Sequence, residues 1–157
     1  MEIRERLRNE QKKLEEIVSR GLDYARKSGV TEAYMNIGQS TGLSVSTLNG
    51  EVENIEFNKS RGLSVTVYSD GRRGRSSTSD LSREAVESAV DAAYSIARHT
   101  SRDPDAVLPD DDMLVPASEI RDLDLCHPSE PDSESAIELL SKTEKLALSM
   151  DPRLRRS

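Results

Sequence analysis

The sequence predicts an α+β fold in which an antiparallel sheet of β-hairpins packs against helices. Residues 42–80 contain two turn dipeptides, Asn49-Gly50 and Asp70-Gly71, each flanked by segments in which apolar and polar residues alternate. This alternation is typical of half-buried strands, and both dipeptides favour the tight turn that joins antiparallel strands. The helices are predicted because long segments before and after this region carry apolar residues at spacings of three and four.

The two hairpins share a short repeat, because the Gly-Leu-Ser-Val motif at 42–45 recurs at 62–65. Residues 32–39 are predicted to form a further strand beside them. The polar segment 72–77 is predicted to form an edge strand, where charged side chains discourage unwanted pairing. The predicted sheet therefore spans residues 32–77.

The first two helices are predicted at 3–27 and 82–99. Gln11 interrupts the apolar stripe of the first helix, so its first turns are expected to be exposed. The second helix is expected to be capped by Asp80 or Ser82. The apolar stripe of this helix is rich in alanine, which predicts a close approach to the sheet.

A proline-rich and aspartate-rich segment, 100–131, is predicted to form a long ordered loop that wraps the domain. Its expected apolar anchors are Leu108, Met113, Leu114, Leu123 and Leu125. A third helix is predicted at 132–150, with Pro131 in the tolerated first-turn position. The apolar face of this helix is expected to consist of Ala136, Ile137, Leu139, Leu140, Leu146, Ala147 and Met150.

Length and composition predict a single domain, 1–157, with a core of Val, Leu, Ile and Ala, because the 157 residues include one Phe and no Trp. The net charge of −7 disfavours binding to nucleic acids or anionic membranes. The single cysteine, Cys126, excludes an internal disulfide framework and is typical of a reducing compartment. Without an apolar run of membrane-spanning length or a signal-peptide core, a cytoplasmic protein is expected.

The two histidines, His99 and His127, do not lie in an HExxH or HExxxH pattern. His99 suits the C-terminal end of the second predicted helix. Cys126-His127 could ligate a metal or form a nucleophile–base pair. Adjacent residues point apart, however, and no third group is marked by the sequence, so no catalytic or metal-binding residue is assigned.

Three arginines, Arg72, Arg73 and Arg75, lie close to Gly71 and Gly74. The spacing of the glycines is neither that of a phosphate loop nor that of a dinucleotide fingerprint. The arginines could grip a phosphate or the carboxylates of a partner. The commoner role of arginines at such a position is the solvated end of an edge strand, and that interpretation is favoured over a binding site.

Two acidic groups also lack a clear chemical pattern. Residues 110–112 are three consecutive aspartates, without the alternate ligand spacing of a calcium loop. Glu51, Glu53 and Glu56 lie on the first hairpin, where charged side chains usually form the solvated face.

In the hairpin segments 41–46, 49–57, 61–68 and 71–74, the sequence resembles the N-terminal domain of the TldD/PmbA family, within a match that extends from about residue 14 to 152. The run Glu-Val-Glu-Asn-Ile-Glu-Phe at 51–57 resembles the PmbA (TldE) branch rather than the TldD branch. The matching segments are 41–46, 49–57, 61–68, 71–74, 76–82, 96–100, 103–104, 124–125, 127–128 and 136–139.

The resemblance implies the N-terminal scaffold domain of a non-catalytic subunit, with a C-terminal domain absent from this chain. In the family, TldD and TldE form a heteromeric zinc metalloprotease that processes or degrades unfolded peptides, earlier described as a modulator of DNA gyrase. The HExxxH motif belongs to the TldD subunit, so zinc is expected in a TldD-like partner. The chain is expected to bind no cofactor and to be inactive alone.

The resemblance also implies that the predicted edge strand contacts an unfolded peptide or a partner. The residues expected to make this contact are Arg72, Arg73, Arg75, Ser76, Ser77 and Thr78. Neither nucleic acid nor a membrane is expected as a direct partner, and the isolated chain is expected to form homo-oligomers. Two alternatives remain, a non-enzymatic module that binds gyrase or an antitoxin and a truncated dimerisation domain.

Overall fold

The computed structural model describes residues 2–121, 123–125, 127, 132–151, 153 and 154. The helices are Glu2–Lys27 (α1), Arg83–His99 (α2) and Ser133–Met150 (α3), and the strands are Glu32–Leu48 (β1), Glu51–Ser69 (β2) and Arg72–Thr78 (β3). The strands form an antiparallel sheet in the order β1-β2-β3, which confirms the predicted α+β class. The three helices begin and end within one residue of their predicted bounds.

The strands are longer than the hairpin arms expected from the sequence. The predicted strand 32–39 continues without a break into the first arm of the first hairpin. β2 is the second strand of the first hairpin and also the first strand of the second hairpin. The sheet strands are joined by two tight turns, at 49–50 and at 70–71, and in each turn two consecutive residues have positive φ. Gly62 does not adopt a positive φ, so β2 passes through it in extended conformation.

The chain divides into two compact units. The first contains Met1–Gln39 and Arg61–Pro128, and the second contains Ser40–Ser60 and Ser129–Ser157. The single domain 1–157 inferred from length and composition stays a prediction.

The core of the first unit lies between α2 and one face of the sheet. Leu63, Val65 and Val67 alternate along β2 and are buried beneath the small residues of α2. This packing confirms that the alanine-rich stripe lies close to the sheet. The buried core consists of Ala25, Val30, Met35, Leu63, Val65, Val67, Val86, Ala89, Val90, Ala93 and Ala97.

Within the first unit, α1 packs against α2 through its C-terminal half. The Tyr24 hydroxyl donates to the Asp91 carboxylate of α2, at 3.0 and 3.2 Å from its two oxygens. This hydrogen bond raises the pKa of Tyr24. Residues 4–9 of α1 are exposed, as the interrupted stripe predicts.

The second unit combines the tip of the first hairpin with α3. Its inward helix positions include Leu140 and Glu144, and Glu144 is only 4% exposed. The predicted apolar face of α3 is wrong at Leu139, Leu146 and Met150, which are exposed. The inward-facing residues of α3 recur every three or four positions from Ala136 to Leu148. Leu139, Leu146 and Met150 lie on the side of the helix next to this inward face.

The predicted anchoring of the loop by apolar side chains is also wrong. Met113, Leu114, Leu123 and Leu125 are exposed, and only Leu108 is half-buried. The first part of the loop is held by polar contacts instead. The Asp103 N–H donates to the Gly71 carbonyl at 2.6 Å, and the Leu108 N–H donates to the Glu32 carboxylate at 3.1 Å.

Two short 3-10 segments interrupt this loop, at Asp111–Met113 and Ala117–Glu119. In the part of the chain that the structure describes, no helix combines the length and the hydropathy that crossing a bilayer requires.

Candidate functional site

β3 forms one edge of the sheet, and its register with β2 determines which backbone groups face outward. Asp70 and Gly71 both have positive φ, 52° and 64°, as a type I′ turn requires. Ser69 and Arg72 close the turn as a pair, and pairing continues to Leu63 opposite Thr78.

Hydrogen-bonded and non-hydrogen-bonded pairs alternate in an antiparallel ladder. Because the pair that closes a two-residue turn is hydrogen-bonded, every second residue of β3 turns its N–H and C=O away from β2. These residues are Arg73, Arg75 and Ser77, which we call the β3 edge. Among the described residues, none donates to or accepts from these backbone groups outside the sheet.

The same alternation divides the six predicted contact residues between the two faces of the sheet. The side chains of the β3 edge are all exposed. Their partners across the register, Tyr68, Thr66 and Ser64, are half-buried and share their face. The other three predicted residues, Arg72, Ser76 and Thr78, are half-buried on the face that α2 covers.

Arg72 is held by α2 and does not project into solvent. Its Nη1 donates to the Arg98 carbonyl oxygen at 2.9 Å, in the last turn of the helix. A cation is favoured there by the partial negative charge of a helix C-terminus. The Nε of Arg72 is buried and has no hydrogen-bond partner in the described part of the chain. Through this hydrogen bond Arg72 joins the turn end of β3 to the last turn of α2.

Thr78 belongs to the connection between β3 and α2. Its hydroxyl accepts from the Asp80 N–H at 3.1 Å. The Ser82 N–H donates to the Asp80 carboxylate at 2.8 Å, and this bond lowers the pKa of Asp80. The Ser82 hydroxyl accepts from the Ala85 N–H at 3.4 Å, which makes Ser82 the N-cap.

A shallow concavity of about 390 Å³ lies at the Ser77 end of the β3 edge. Hydroxyl and amide side chains supply several of its polar groups, which suits a ligand held by hydrogen bonds rather than by charge. The residues that line it are Asn36, Gly62, Leu63, Ser64, Ser77, Thr78 and Ser79.

Gly74 is a structural residue of this site that the sequence analysis left without a role. A Cβ at this position would lie 2.0 Å from the Ala93 carbonyl oxygen and 2.5 Å from the Ala97 nitrogen. Only glycine therefore allows β3 to approach α2 so closely. The signal in the sequence was the pairing of a strand glycine with an alanine-rich helix, because small residues on both sides favour close contact.

The other candidate residues do not converge on one place. His99 ends α2, and its Nδ1 lies 2.8 Å from the Ser95 carbonyl oxygen. His127 is exposed, whereas Cys126 lies outside the described residues. The described members of the acidic groups are exposed, including Glu51, Glu53 and Glu56 on β2 and Asp110 and Asp112 in the loop.

Three or more metal-donor side chains do not come together anywhere in the described ranges. The donor set of the described residues therefore does not fit a zinc site, which needs three or four converging ligands.

Comparison with known proteins gives one family. Residues 37–97 match the family described as PmbA/TldA metallopeptidase domain 1. The chain is 43% identical over 155 residues to Metalloprotease PmbA of Escherichia coli O157:H7. It is 37% identical over 148 residues to the Metalloprotease PmbA homolog of Haemophilus influenzae. These alignments cover 98% and 94% of this chain, but 34% and 32% of the relatives. The chain therefore spans about a third of their length.

Two solved structures share the fold. TldE from Thermococcus kodakarensis aligns with a TM-score of 0.70 at 19% identity, over 87% of this chain and 30% of that protein. A candidate modulator of DNA gyrase from Bacteroides thetaiotaomicron aligns with a TM-score of 0.70 at 23% identity, over 90% of this chain and 32% of that protein.

Proposed function

Because this chain belongs to the PmbA/TldD family of metallopeptidases, we propose that it is a scaffold domain that holds extended peptides for a metal-bearing partner subunit. The family membership confirms the resemblance that the sequence carries. The proposed partner is a TldD-like subunit with an HExxxH motif, and the proposed substrates are unfolded peptides. We also propose that the protein acts in the cytoplasm, in keeping with its single cysteine.

The observation that supports peptide holding is the free β3 edge. Arg73, Arg75 and Ser77 direct backbone donors and acceptors outward along a short edge strand. An extended peptide can add to such an edge through main-chain hydrogen bonds, whatever its sequence. Most backbone donors and acceptors of a folded protein are already paired, so this mode of binding favours unfolded substrates.

The side chains of the β3 edge add a preference to this binding. Arg73 and Arg75 lie on one exposed face, and neither forms an ion pair with another described residue. A peptide with acidic residues at alternate positions would place carboxylates beside them. Exposed pairs of this kind contribute about 0.2–1 kcal/mol each, so the preference is expected to be modest.

Hydrolysis itself is assigned to the partner subunit. The described residues bring no three metal donors together, and the family's HExxxH motif does not occur in the sequence. This chain would bind and align the peptide, while the partner would supply the metal and the catalytic groups.

A peptidase assay on an unfolded peptide tests this division of labour. Cleavage is measured with this chain alone, with an HExxxH-bearing partner and zinc, and with both proteins together. We expect no cleavage by this chain alone and faster cleavage with both than with the partner alone. Cleavage by this chain alone that a chelator stops would mean that Cys126, His127 or His99 binds metal. An unchanged rate with both proteins would contradict the scaffold role.

For a peptide without acidic residues, the strand-edge mode predicts that Arg75→Pro weakens binding while Arg75→Ala does not. Proline removes the outward N–H of Arg75, and no bond to β2 is lost because that N–H points away from the sheet. We expect roughly tenfold weaker binding, about 1.4 kcal/mol, for the proline variant. Photocrosslinking to an unfolded peptide measures the effect. Equal crosslinking of the two variants would exclude β-strand addition at this edge.

A further inference from the structure

A second concave site lies in the first unit, between the C-terminal half of α1 and the start of α2. Its volume is about 250 Å³, room for roughly eight water molecules. This volume suits one amino-acid-sized ligand. The residues that line it are Ile17, Arg20, Gly21, Asp23, Tyr24, Lys27, Leu81, Arg83, Val86 and Glu87.

The walls of this cleft are partly apolar. Val86 is buried, and Ile17 and Leu81 are half-buried beside the main core. The hydroxyl of Tyr24 is already bound by Asp91, which leaves its ring as a further wall. A ligand in the cleft would therefore bury an apolar group against these four side chains.

The charged groups of the cleft divide into paired and unpaired ones. Glu87 accepts from the Arg83 Nε at 2.7 Å, and Asp23 lies 3.2 Å from Arg26. In contrast, no carboxylate of the described residues lies within 4.0 Å of the charged groups of Arg20 or Lys27.

The Nε of Arg20 donates to the Glu16 carbonyl oxygen, at 3.3 Å. The two terminal nitrogens of its guanidinium have no hydrogen-bond partner among the described residues and can therefore serve a ligand. Unpaired cations are notable here because the whole chain carries a net charge of −7. The charge of the cleft is thus complementary to an anion, although that of the protein is not.

We propose that this cleft binds a carboxylate attached to a compact apolar group, as in the C-terminal residue of a peptide. Arg20 receives the carboxylate through its two terminal nitrogens, the geometry that arginine offers to planar anions. Lys27 adds a second positive charge, and the apolar group occupies the walls formed by Ile17, Leu81 and Val86. This site is separate from the β3 edge, and its occupation does not depend on peptide cleavage.

Nuclear magnetic resonance titration of the chain with N-acetyl-L-leucine tests the proposal. The backbone amide signals of Gly21, Leu81 and Val86 are expected to shift. N-acetyl-L-leucinamide has the same apolar group without the carboxylate, and it is expected to bind roughly tenfold more weakly. Inorganic phosphate has charge without an apolar group and is expected to leave the Val86 signal unchanged.

Two variants with the same change of charge make the test specific. Arg20→Gln is expected to weaken binding of N-acetyl-L-leucine roughly tenfold. Lys12→Gln removes an exposed cation of α1 outside the cleft and is expected to change binding less than about twofold. Equal binding of the acid and the amide, equal effects of the two variants, or shifts scattered outside the cleft would overturn the proposal. None of these outcomes bears on the strand-edge mode.

Discussion

At Gly74 the backbone of β3 passes directly beneath the backbone of α2. The atoms that a Cβ would meet belong to the main chain of Ala93 and Ala97, so no side-chain rotation can make room for it. The whole helix would have to move. Because the core side chains of α2 are fitted to Leu63, Val65 and Val67, that movement would also open the core.

We expect Gly74→Ala to lower the free energy of unfolding by about 3 kcal/mol, at the upper end of the cost of overpacking. Gly62→Ala is the matched control in the same hairpin, because its Cβ would meet only the Thr78 carbonyl oxygen at an ordinary 3.7 Å. Urea denaturation followed by circular dichroism measures both variants. Similar losses for the two would show that α2 yields without cost.

Glu144 supplies the second residue-scale contact that the sequence conceals. Its Oε2 accepts from the Gly50 N–H at 2.8 Å, within the turn that joins β1 and β2. The other oxygen, Oε1, is buried without a hydrogen-bond partner in the described part of the chain. A buried carboxylate on a helix is uncommon unless it is bound, so the turn amide accounts for its inward position.

Replacement of Glu144 by alanine should release the turn. We expect Glu144→Ala to accelerate hydrogen exchange of the Gly50 amide and to cost about 1–3 kcal/mol of stability, because the turn N–H loses its carboxylate acceptor. Glu144→Gln keeps an acceptor oxygen and should preserve most of the protection. Glu138→Ala, at an exposed position of the same helix, is the control. Unchanged exchange at Gly50 in the alanine variant would mean that the contact is unimportant.

At the scale of elements, α3 depends on the residue before its first turn. Asp132 is its N-cap and accepts from the side-chain hydroxyl and the backbone N–H of Ser135, and from the N–H of Glu134 at 3.1 Å. These hydrogen bonds, with that from the Ser135 hydroxyl the strongest, lower the pKa of Asp132. The predicted helix included this aspartate, whereas the observed helix begins one residue later.

The lowered pKa predicts that acid weakens the start of α3. A carboxylate with a depressed pKa in the folded state contributes stability above its unfolded pKa of about 3.9, and that contribution is lost as pH falls through the folded pKa. The amide signal of Ser135, which donates to this carboxylate, should therefore shift as acid protonates Asp132. In Asp132→Asn this titration should vanish, and in Asp112→Asn it should persist. A residual titration in Asp132→Asn would assign it to another group.

At the scale of the whole molecule, apolar side chains remain exposed on both units. The clearest group is on α3, where Leu139, Leu146 and Met150 lie on one side of the helix at spacings of seven and four. Such a stripe is typical of a helix that packs on two sides. The longer relatives contain additional chain of about twice the length of this one. Exposed apolar surface also favours contact between copies of this chain.

We expect the isolated chain to self-associate as its concentration rises. Leu139→Ser combined with Leu146→Ser should reduce this association, because the variant removes the centre of the α3 stripe. Val107→Ser changes an exposed valine of the loop and should leave association unaltered. Sedimentation velocity over a range of concentrations compares the three proteins. A monomer at every concentration would contradict the expectation.

Local chemistry made most elements predictable from the sequence. The dipeptides Asn49-Gly50 and Asp70-Gly71 define both turns because few other residues accept positive φ at two successive positions. The helix bounds follow from apolar spacing and from caps such as Ser82, whose interactions span one turn. The β3 edge is also a local feature, because the turn and the register together determine which backbone groups point outward.

The sequence was sufficient to predict the α+β class, the family and the positions of the strands and helices, because each depends on residues that are near neighbours in the chain. Three features are visible only in the folded chain: the buried side of α3, the contact of Gly74 with α2, and the hydrogen bond from Arg72 to the Arg98 carbonyl. Each of these depends on residues that are distant in sequence and meet only after folding. Apolar periodicity indicates that a face exists, but not what covers it, and so the exposed leucines of α3 and of the loop were misassigned.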